Sequence, residues 1–594
     1  MKYSDLFVDW LLEMGYTHCF FVAGGAIMHL LDSVRTRMIC IPVVHEVAAG
    51  IAAEYFNEAS EDGKAFALVT AGPGITNIIT AMAGAFLESR ELLVVAGQVK
   101  STDLAGPTLR QRGIQEIDGL KLCESLTVAS RRIEQPLPRS SIAAVIMRGR
   151  HLRPGPTLIE FCLDAQGAPV DAAALRDARS KVLEQEGEDA RERAAVAAPN
   201  VIALTQAAQR PVWLIGGGVK RSVAANLLPA LERTGVPLMT TWNGADRIPR
   251  TFSTYIGRPN TWGQRSANVL LRQSDLVVAF GTRLGIQQTG FNWQEFARDA
   301  KIVQIEIDEA ELKKGHPHID VPICGDANEL LRLACEEQYP SYASWLDFCH
   351  EVRRIIPLND PANQTAPGFV NPFQFYLDLS TLTTSNDIVI PCSSGGANST
   401  GMQAFEPLSG QIIITNKGLA SMGYGLAGAI GAAFSNRNRR VTLIEGDGGF
   451  IQNLQELATV GVGFLNLKIF IFANNGYASI RTTQRNYFGG AYLGCDTATG
   501  LGFPSWAKLF DAFNIPYHSL ASDWMHDSEF LKAYNEPGPS AFIVPVDPEQ
   551  TYFPKVTSRV TASGTMESNP IHLMSPELPE NIAGKVFRYL PILK

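Results

Sequence analysis

One pattern recurs along this chain and narrows the folds open to it: an apolar, β-branched run, a glycine-bearing turn, then a helix-length segment. Residues 65–69 lead into Gly72-Pro-Gly74, residues 212–215 into Gly216-Gly-Gly218, and Leu467–Ala473 into Asn474-Asn-Gly476. Strands without polar alternation are buried on both faces, and helices between successive strands provide that cover. The expectation is an α/β protein of doubly wound parallel sheets. At 594 residues the chain exceeds what one core holds, and three such domains are expected. Charged and proline-rich stretches divide it into an N-terminal block (1–185), a central block (186–355), a third block (356–550) and a tail (551–594). The charged run 183–193 reads as a solvated linker or an exposed helix, and 357–372, with four prolines, as the second linker.

Bulk properties exclude several functions. A net charge of −8 leaves no basic footprint for nucleic acid. The nine cysteines are scattered without a C-x-x-C pair, the usage of a reducing compartment, here the cytoplasm. Near the N-terminus Leu6, Phe7, Trp10, Leu11 and Met14 fall at helical spacing among Asp5, Asp9 and Glu13, unlike a secretory leader. Residues 65–87 are poor in charge, but Gly72, Pro73, Gly74 and Asn77 cut them into strand, turn and helix. A membrane span needs about 20 unbroken apolar residues, so no membrane partner is expected.

The chemistry concentrates in the third block. A β-branched strand ends at Glu445, Gly446-Asp447-Gly448-Gly449 turns sharply out of it, a helix holds residues 455–459, and the strand Leu467–Ala473 ends in Asn474-Asn475-Gly476. The 27 residues from Asp447 to Asn474 suit one right-handed strand–helix–strand crossover. Both side chains then sit at carboxyl ends of parallel strands, where α/β folds bind ligands. A hard divalent cation takes oxygen ligands: Asp447 supplies charge, the Asn474 amide a neutral oxygen, and the Gly476 carbonyl a third. Gly446 and Gly448 let the backbone approach a diphosphate, and a helix N-terminus favours the anion. Either fragment alone reads as an ordinary turn; the pair at this spacing favours an ion-and-diphosphate site.

Residues 446–475 resemble the thiamine diphosphate-binding signature, and from residue 1 to about 550 the chain resembles the acetolactate synthase group, notably at residues 20–31, 68–98 and 415–427. The resemblance implies the thiamine diphosphate enzyme fold, with a pyrimidine-binding domain first, a central domain, and a diphosphate-binding domain third. It implies thiamine diphosphate and Mg²⁺ as cofactors, with Asp447, Asn474 and Gly476 as metal ligands. Glu46, in Val43-Val-His-Glu-Val-Ala-Ala-Gly, matches the catalytic carboxylate that hydrogen-bonds the cofactor's aminopyrimidine ring. A lone glutamate would otherwise read as a surface or capping residue. Met422 stands where an apolar wedge bends the cofactor, with core filling as the plain alternative. Gly24 and Gly25 approach substrate or cofactor, though tight packing alone also asks for glycine. The same likeness extends cofactor contact to Pro73, Gly74, Asn77, Gly395, Gly449, Tyr477 and Ala478. In such enzymes one chain lends the glutamate and its neighbour the metal site, so a homodimer is the smallest competent unit and a homotetramer is common.

Departures from the family pattern shape the expected activity. Simple 2-oxo acid decarboxylases carry paired histidines in the first block and an acid just after the Asn-Asn pair; this chain has Gln115-Glu116 and Arg481. Without that proton donor the acyl-anion equivalent from pyruvate or a near analogue is expected to survive and add to a second 2-oxo acid, an aldehyde or a ketone. Free-aldehyde release and authentic acetolactate synthesis are the alternatives, and a binding protein without turnover is disfavoured by the joint presence of Glu46 and the metal ligands. Ile114 replaces the phenylalanine, and residues 480–484 the tryptophan-bearing segment, of typical acetolactate synthases, so the acceptor stays open. Gln115 either contacts the reacting oxygen or is a surface glutamine, on equal terms. In the central block Gly216-Gly-Gly218 is not Gly-x-Gly-x-x-Gly, since Arg221 stands where the third glycine would be, so NAD is not expected. Phe280-Gly-Thr-Arg283-Leu-Gly resembles the flavin-carrying middle domain of acetolactate synthases, a domain that often persists without flavin. FAD is left as an open expectation with a structural role only, the balance falling slightly against it.

Overall fold

The computed structural model describes residues 1–177, 182–560 and 564–590. It contains three six-stranded sheets with flanking helices, and neighbouring strands in each run parallel. In spatial order the first sheet reads Ile39–Pro42, Tyr16–Phe21, Lys64–Val69, Leu92–Gln98, Pro156–Cys162, Ala129–Ile133. The third repeats that winding with Ile412–Ile413, Ile388–Ile390, Val441–Gly446, Leu467–Ala473, Ser540–Pro545, Tyr517–Ser519. The central sheet is wound differently: Val321–Cys324, Lys301–Glu306, Leu276–Phe280, Pro211–Ile215, Leu238–Thr240, Tyr255–Gly257. Where the order of winding reverses, the loops at the strand carboxyl ends part and leave a crevice. In the first sheet this falls between Tyr16–Phe21 and Lys64–Val69, in the third between Ile388–Ile390 and Val441–Gly446.

The chain forms two compact units, one of residues 1–184, 387–398 and 414–545, the other of 185–386, 399–413 and 546 onward. In the first unit the helix Glu46–Ala59 packs on the helix Tyr424–Ser435, which is apolar around its whole circumference and buried. Two glycines permit that approach. A Cβ at Gly431 would lie 2.0 Å from the Ala52 carbonyl oxygen, and one at Gly428 would lie 2.5 Å from the Tyr55 ring.

In the second unit the tail is tied to the central fold by backbone and amide hydrogen bonds. Val556 N–H donates to Thr261 O (2.9 Å), Asn268 Nδ2 to Ile571 O (2.9 Å), and Gln273 Nε2 to Val586 O (2.8 Å). The described part of the charged run lies in the helix Val182–Ala207, which buries only Ala190, Ala194, Ala198, Val201 and Thr205. Among the described residues no helix is long and apolar enough to cross a membrane.

One element departs from the sequence pattern. The helix expected after Gly449 is broken into Asp447–Phe450, a 3₁₀ segment Ile451–Glu456 and Leu457–Gly463. At the break Asn453 leaves helical geometry (φ −135°), and its Nδ2 donates to Gly423 O at 2.6 Å. That side chain-to-backbone bond competes with the helix ladder.

Candidate functional site

Asp447 opens its short helix at the end of Val441–Gly446 and is 3% exposed. Its carboxylate accepts three backbone N–H groups: Gly448 at 2.7 Å, Asn474 at 3.0 Å and Gly476 at 3.1 Å. It therefore ties the ends of the two adjacent strands that the sequence spacing paired. Burial outweighs those donors and the nearby charge of Arg481, and pushes the carboxyl up to about 6.

Asn474 is 8% exposed, and among the described residues its Oδ1 has no hydrogen-bond partner. A buried acceptor left unpaired costs roughly 1–3 kcal/mol, so its persistence at a strand end points to a ligand. Gly476 has φ +117°, and a Cβ there would sit 2.3 Å from Cys495 O, so only glycine fits. Its carbonyl accepts one N–H, from Ala478 at 3.0 Å, and retains a second lone pair. A carboxylate, an amide oxygen and a backbone carbonyl form the donor set of a hard divalent ion completed by phosphate oxygens. Among the described residues no group of three or more His, Cys, Asp and Glu could hold a metal, so no rival centre of that kind competes.

The glycines around this point differ in cause. A Cβ at Gly448 would meet the Tyr477 ring at 2.4 Å, and one at Gly449 would meet Glu445 Oε1 at 2.9 Å. At Gly446 and at Gly395 (φ +72°), which follows Ile388–Ile390, a Cβ would meet nothing within 4 Å. That clearance flanks the crevice between the two strands and suits a diphosphate approaching backbone. Tyr477 donates its N–H to Cys495 O at 2.8 Å, and Ala478 begins the helix Ala478–Phe488.

Glu46 is the first residue of its helix, 8% exposed, with His45 as N-cap. Its Oε2 accepts from Asn77 Nδ2 at 3.0 Å, in the first turns of the helix Pro73–Glu88. Pro73 takes the first helical position, where its missing N–H has no consequence. A Cβ at Gly24 would lie 2.4 Å from Thr70 Cβ and one at Gly74 3.2 Å from Val69 Cβ, so packing explains both; at Gly25 there is open space.

Glu456 was not singled out by the sequence. It is fully buried, and its carboxylate accepts the N–H of Val44 (3.1 Å) and of His45 (3.0 Å). The segment after the Gly-Asp-Gly turn thus fixes the start of the Glu46 helix. A single acid in the mixed segment 454–460 gives little sequence signal beyond its charge.

Gln115 is exposed, with φ +61°, and its carbonyl lies against Gly72, where a Cβ would approach to 2.3 Å. The neighbouring Glu116 is buried and accepts N–H groups from Ala105 (2.5 Å), Arg112 (2.8 Å) and Gly113 (2.9 Å). Burial works against its charge, but these three donors prevail and hold the carboxyl below its usual range. Ile114, between them, is 91% exposed. Met422 is partly exposed beside Gly423 (φ +78°), with Gln452 Nε2 3.7 Å from its sulfur. Arg481 is 2% exposed and turns back on the chain, donating to the carbonyls of Asn474 and Asn475 at 2.7 Å each.

This geometry has counterparts in known proteins. The model of the thiamine pyrophosphate enzyme N-terminal TPP binding domain matches residues 1–122, that of the central domain 199–333, and that of the C-terminal TPP binding domain 394–544. The chain belongs to the thiamine pyrophosphate enzyme family. Along nearly its full length it is similar to acetolactate synthases. It is 27% identical to the acetolactate synthase isozyme 1 large subunit of Escherichia coli, over 93% of this chain and 95% of that one. It is 29% identical to the probable acetolactate synthase large subunit of Methanocaldococcus jannaschii, over 93% of each. With acetolactate synthase 1, chloroplastic, of Nicotiana tabacum it shares 27% identity over 94% of this chain and 83% of that one. Within the family it is an acetolactate synthase-like enzyme that depends on thiamine pyrophosphate.

Proposed function

We propose that the protein is a thiamine diphosphate- and Mg²⁺-dependent carboligase that takes an acyl-anion equivalent from pyruvate or a near analogue and adds it to a second carbonyl compound, a 2-oxo acid, aldehyde or ketone. The observation that carries the metal and diphosphate half is the Asn474 Oδ1, without a partner among the described residues, together with the Asp447 carboxylate and the Gly476 carbonyl. When bound, thiamine diphosphate supplies the carbon nucleophile and electron sink for loss of CO₂ from a 2-oxo acid.

The chain's residues have distinct parts. Asp447, Asn474 and Gly476 hold the ion, and Gly395, Gly446, Gly448, Gly449, Tyr477 and Ala478 line the diphosphate. Glu46, oriented by Asn77, holds and exchanges the proton at the pyrimidine nitrogen. Gly24, Gly25, Pro73 and Gly74 shape the loops on that side, Met422 sets the cofactor's bend, and Gln115 faces the reacting oxygen. Arg481 stands where simple decarboxylases carry an acid, and its guanidinium is engaged by two backbone carbonyls, which favours ligation over aldehyde release. The relatives' shared name, acetolactate synthase, supports pyruvate as the donor; the exposed Ile114 marks the acceptor side as this chain's own. We place the enzyme in the cytoplasm as a homodimer or homotetramer whose sites join Glu46 of one subunit to the metal loop of another.

Flavin forms no part of this reading. A Cβ at Gly216 would lie 2.2 Å from Gly281 O, and Arg247 Nε donates to Val219 O at 2.6 Å, so the glycine loop of the central sheet is accounted for by its own chain.

The test is product analysis by mass spectrometry with labelled pyruvate, alone and against a panel of carbonyl acceptors, alongside Glu46→Gln. Ligated products should dominate, and Glu46→Gln should release CO₂ at least about 100-fold more slowly. Free aldehyde as the main product with every acceptor, or wild-type turnover by Glu46→Gln, overturns the proposal.

A further inference from the structure

We propose that Arg481 is a positioning residue that selects which oxygens of the 474–476 turn face the metal ion. The inference rests on the ligand assignment above and goes beyond it. Five oxygens crowd this turn: the three backbone carbonyls and the two asparagine side-chain oxygens. Arg481 engages the Asn474 and Asn475 carbonyls, at 2.7 Å each, with two arms of one guanidinium. Thr497 Oγ1 donates to Asn475 Oδ1 at 2.9 Å. The Asn474 side-chain oxygen has no partner among the described residues, and the Gly476 carbonyl accepts only the neutral N–H of Ala478, whereas the two carbonyls that face the guanidinium would bring a metal ion up against a positive charge. Those two oxygens are the ones assigned to the ion.

The backbone makes such a clamp necessary. Asn475 (φ +61°) and Gly476 (φ +117°) are consecutive residues in the left-handed region, a conformation that an L-residue such as asparagine adopts at a cost. The Asn474 carbonyl is buried and needs a donor, and a planar fork with fixed spacing supplies it and the neighbouring Asn475 carbonyl at once. A lysine ammonium is a single point and holds such a pair less well. Arg481 lies one turn into the helix Ala478–Phe488, so the helix carries the fork back over the turn that precedes it. A merely structural arginine would stabilise the fold and leave the coordination of a bound ion unchanged.

The experiment uses the full chain with Mn²⁺ as the probe ion, in the presence of thiamine diphosphate, read by electron paramagnetic resonance for both dissociation constant and bound-state line shape. Residues that orient metal ligands typically contribute 10–100-fold in affinity, so Arg481→Met should weaken Mn²⁺ by at least about tenfold and Arg481→Lys by less. Both variants should alter the spectrum of the saturated site, which loss of fold stability alone would not do. Unchanged line shapes with dissociation constants within about twofold of the parent overturn the role of Arg481. Should Arg481→Met fail to fold, Arg481→Lys decides by the same two readouts. A parent chain that takes up no Mn²⁺ sinks the ligand assignment itself, and this inference with it.

Discussion

The weakened acidity of the buried Asp447 carboxyl predicts how the ion competes with protons. Burial moves this carboxyl from 3.8 to about 6, although it accepts three N–H groups. The sign follows from which form burial disfavours. The ion-free fold favours the neutral acid between those two values, so it loses stability as pH rises through that window. That displacement corresponds to roughly 3 kcal/mol of unfavourable buried charge at neutral pH. A bound cation relieves that charge, and a proton at lower pH competes for it. With a midpoint near 6 the apparent dissociation constant of the ion should grow about tenfold from pH 7 to pH 5, whereas an ordinary aspartate would change it by less than about a tenth. The assay is calorimetric titration of Mg²⁺ into the protein with thiamine diphosphate from pH 5 to 7.5. The cofactor's own phosphate also takes up protons, so its contribution is measured on Asp447→Asn, whose amide does not titrate. Wild-type and Asp447→Asn curves that run parallel over this range would refute the reasoning.

Two further outcomes test other parts of the structure. Arg90→Met strands Glu54, a fully buried carboxylate that Arg90 Nη1 meets at 2.9 Å and Tyr424 Oη at 2.5 Å. Breaking such a pair costs about 3–5 kcal/mol, to be read from urea unfolding; a loss under about 1 kcal/mol means that the network is dispensable. Glu116→Gln removes the charged acceptor of three N–H groups that folds residues 105–116. Amide exchange at Ala105, Arg112 and Gly113 should quicken and KM for the carbonyl acceptor should rise, while CO₂ release from the donor holds; unchanged exchange counts against the clamp.

Much of this molecule was legible in the sequence, for identifiable reasons. Continuous apolar runs ending at glycine turns gave the parallel sheets, because burial on both faces removes polar alternation and leaves a strong signal. The length of one crossover puts Asp447 and Asn474 at the carboxyl ends of two parallel strands, and the register shows those strands to be neighbours. What escaped was whatever depends on contacts distant in sequence. Glu456 reaches the N–H groups of Val44 and His45 across more than 400 positions, and nothing local to residue 456 encodes that reach. Arg481 reads in sequence as a charge near the acceptor, yet its fork is turned onto the two asparagine carbonyls. The break at Asn453 was hidden too, since only its bond to Gly423 O makes a helix-tolerant segment leave helical geometry.

The first and third sheets share one winding, and their contrast explains a division of labour. In both, glycine loops follow the two strands that flank the point of reversal: Gly24 and Gly72 in the first, Gly395 and Gly446 in the third. In the first sheet those glycines are filled by their own chain, Gly24 by Thr70 and Gly72 by the Gln115 carbonyl. On that side Glu46 opens its helix, with Asn77 fixing one of its oxygens. In the third sheet the corresponding glycines face open space, and an acid and an amide oxygen stand at the ends of the adjacent strands. One topology thus offers two kinds of strand-end environment, and on the proposed function the open one takes the diphosphate while the filled one holds the carboxylate that meets the ring.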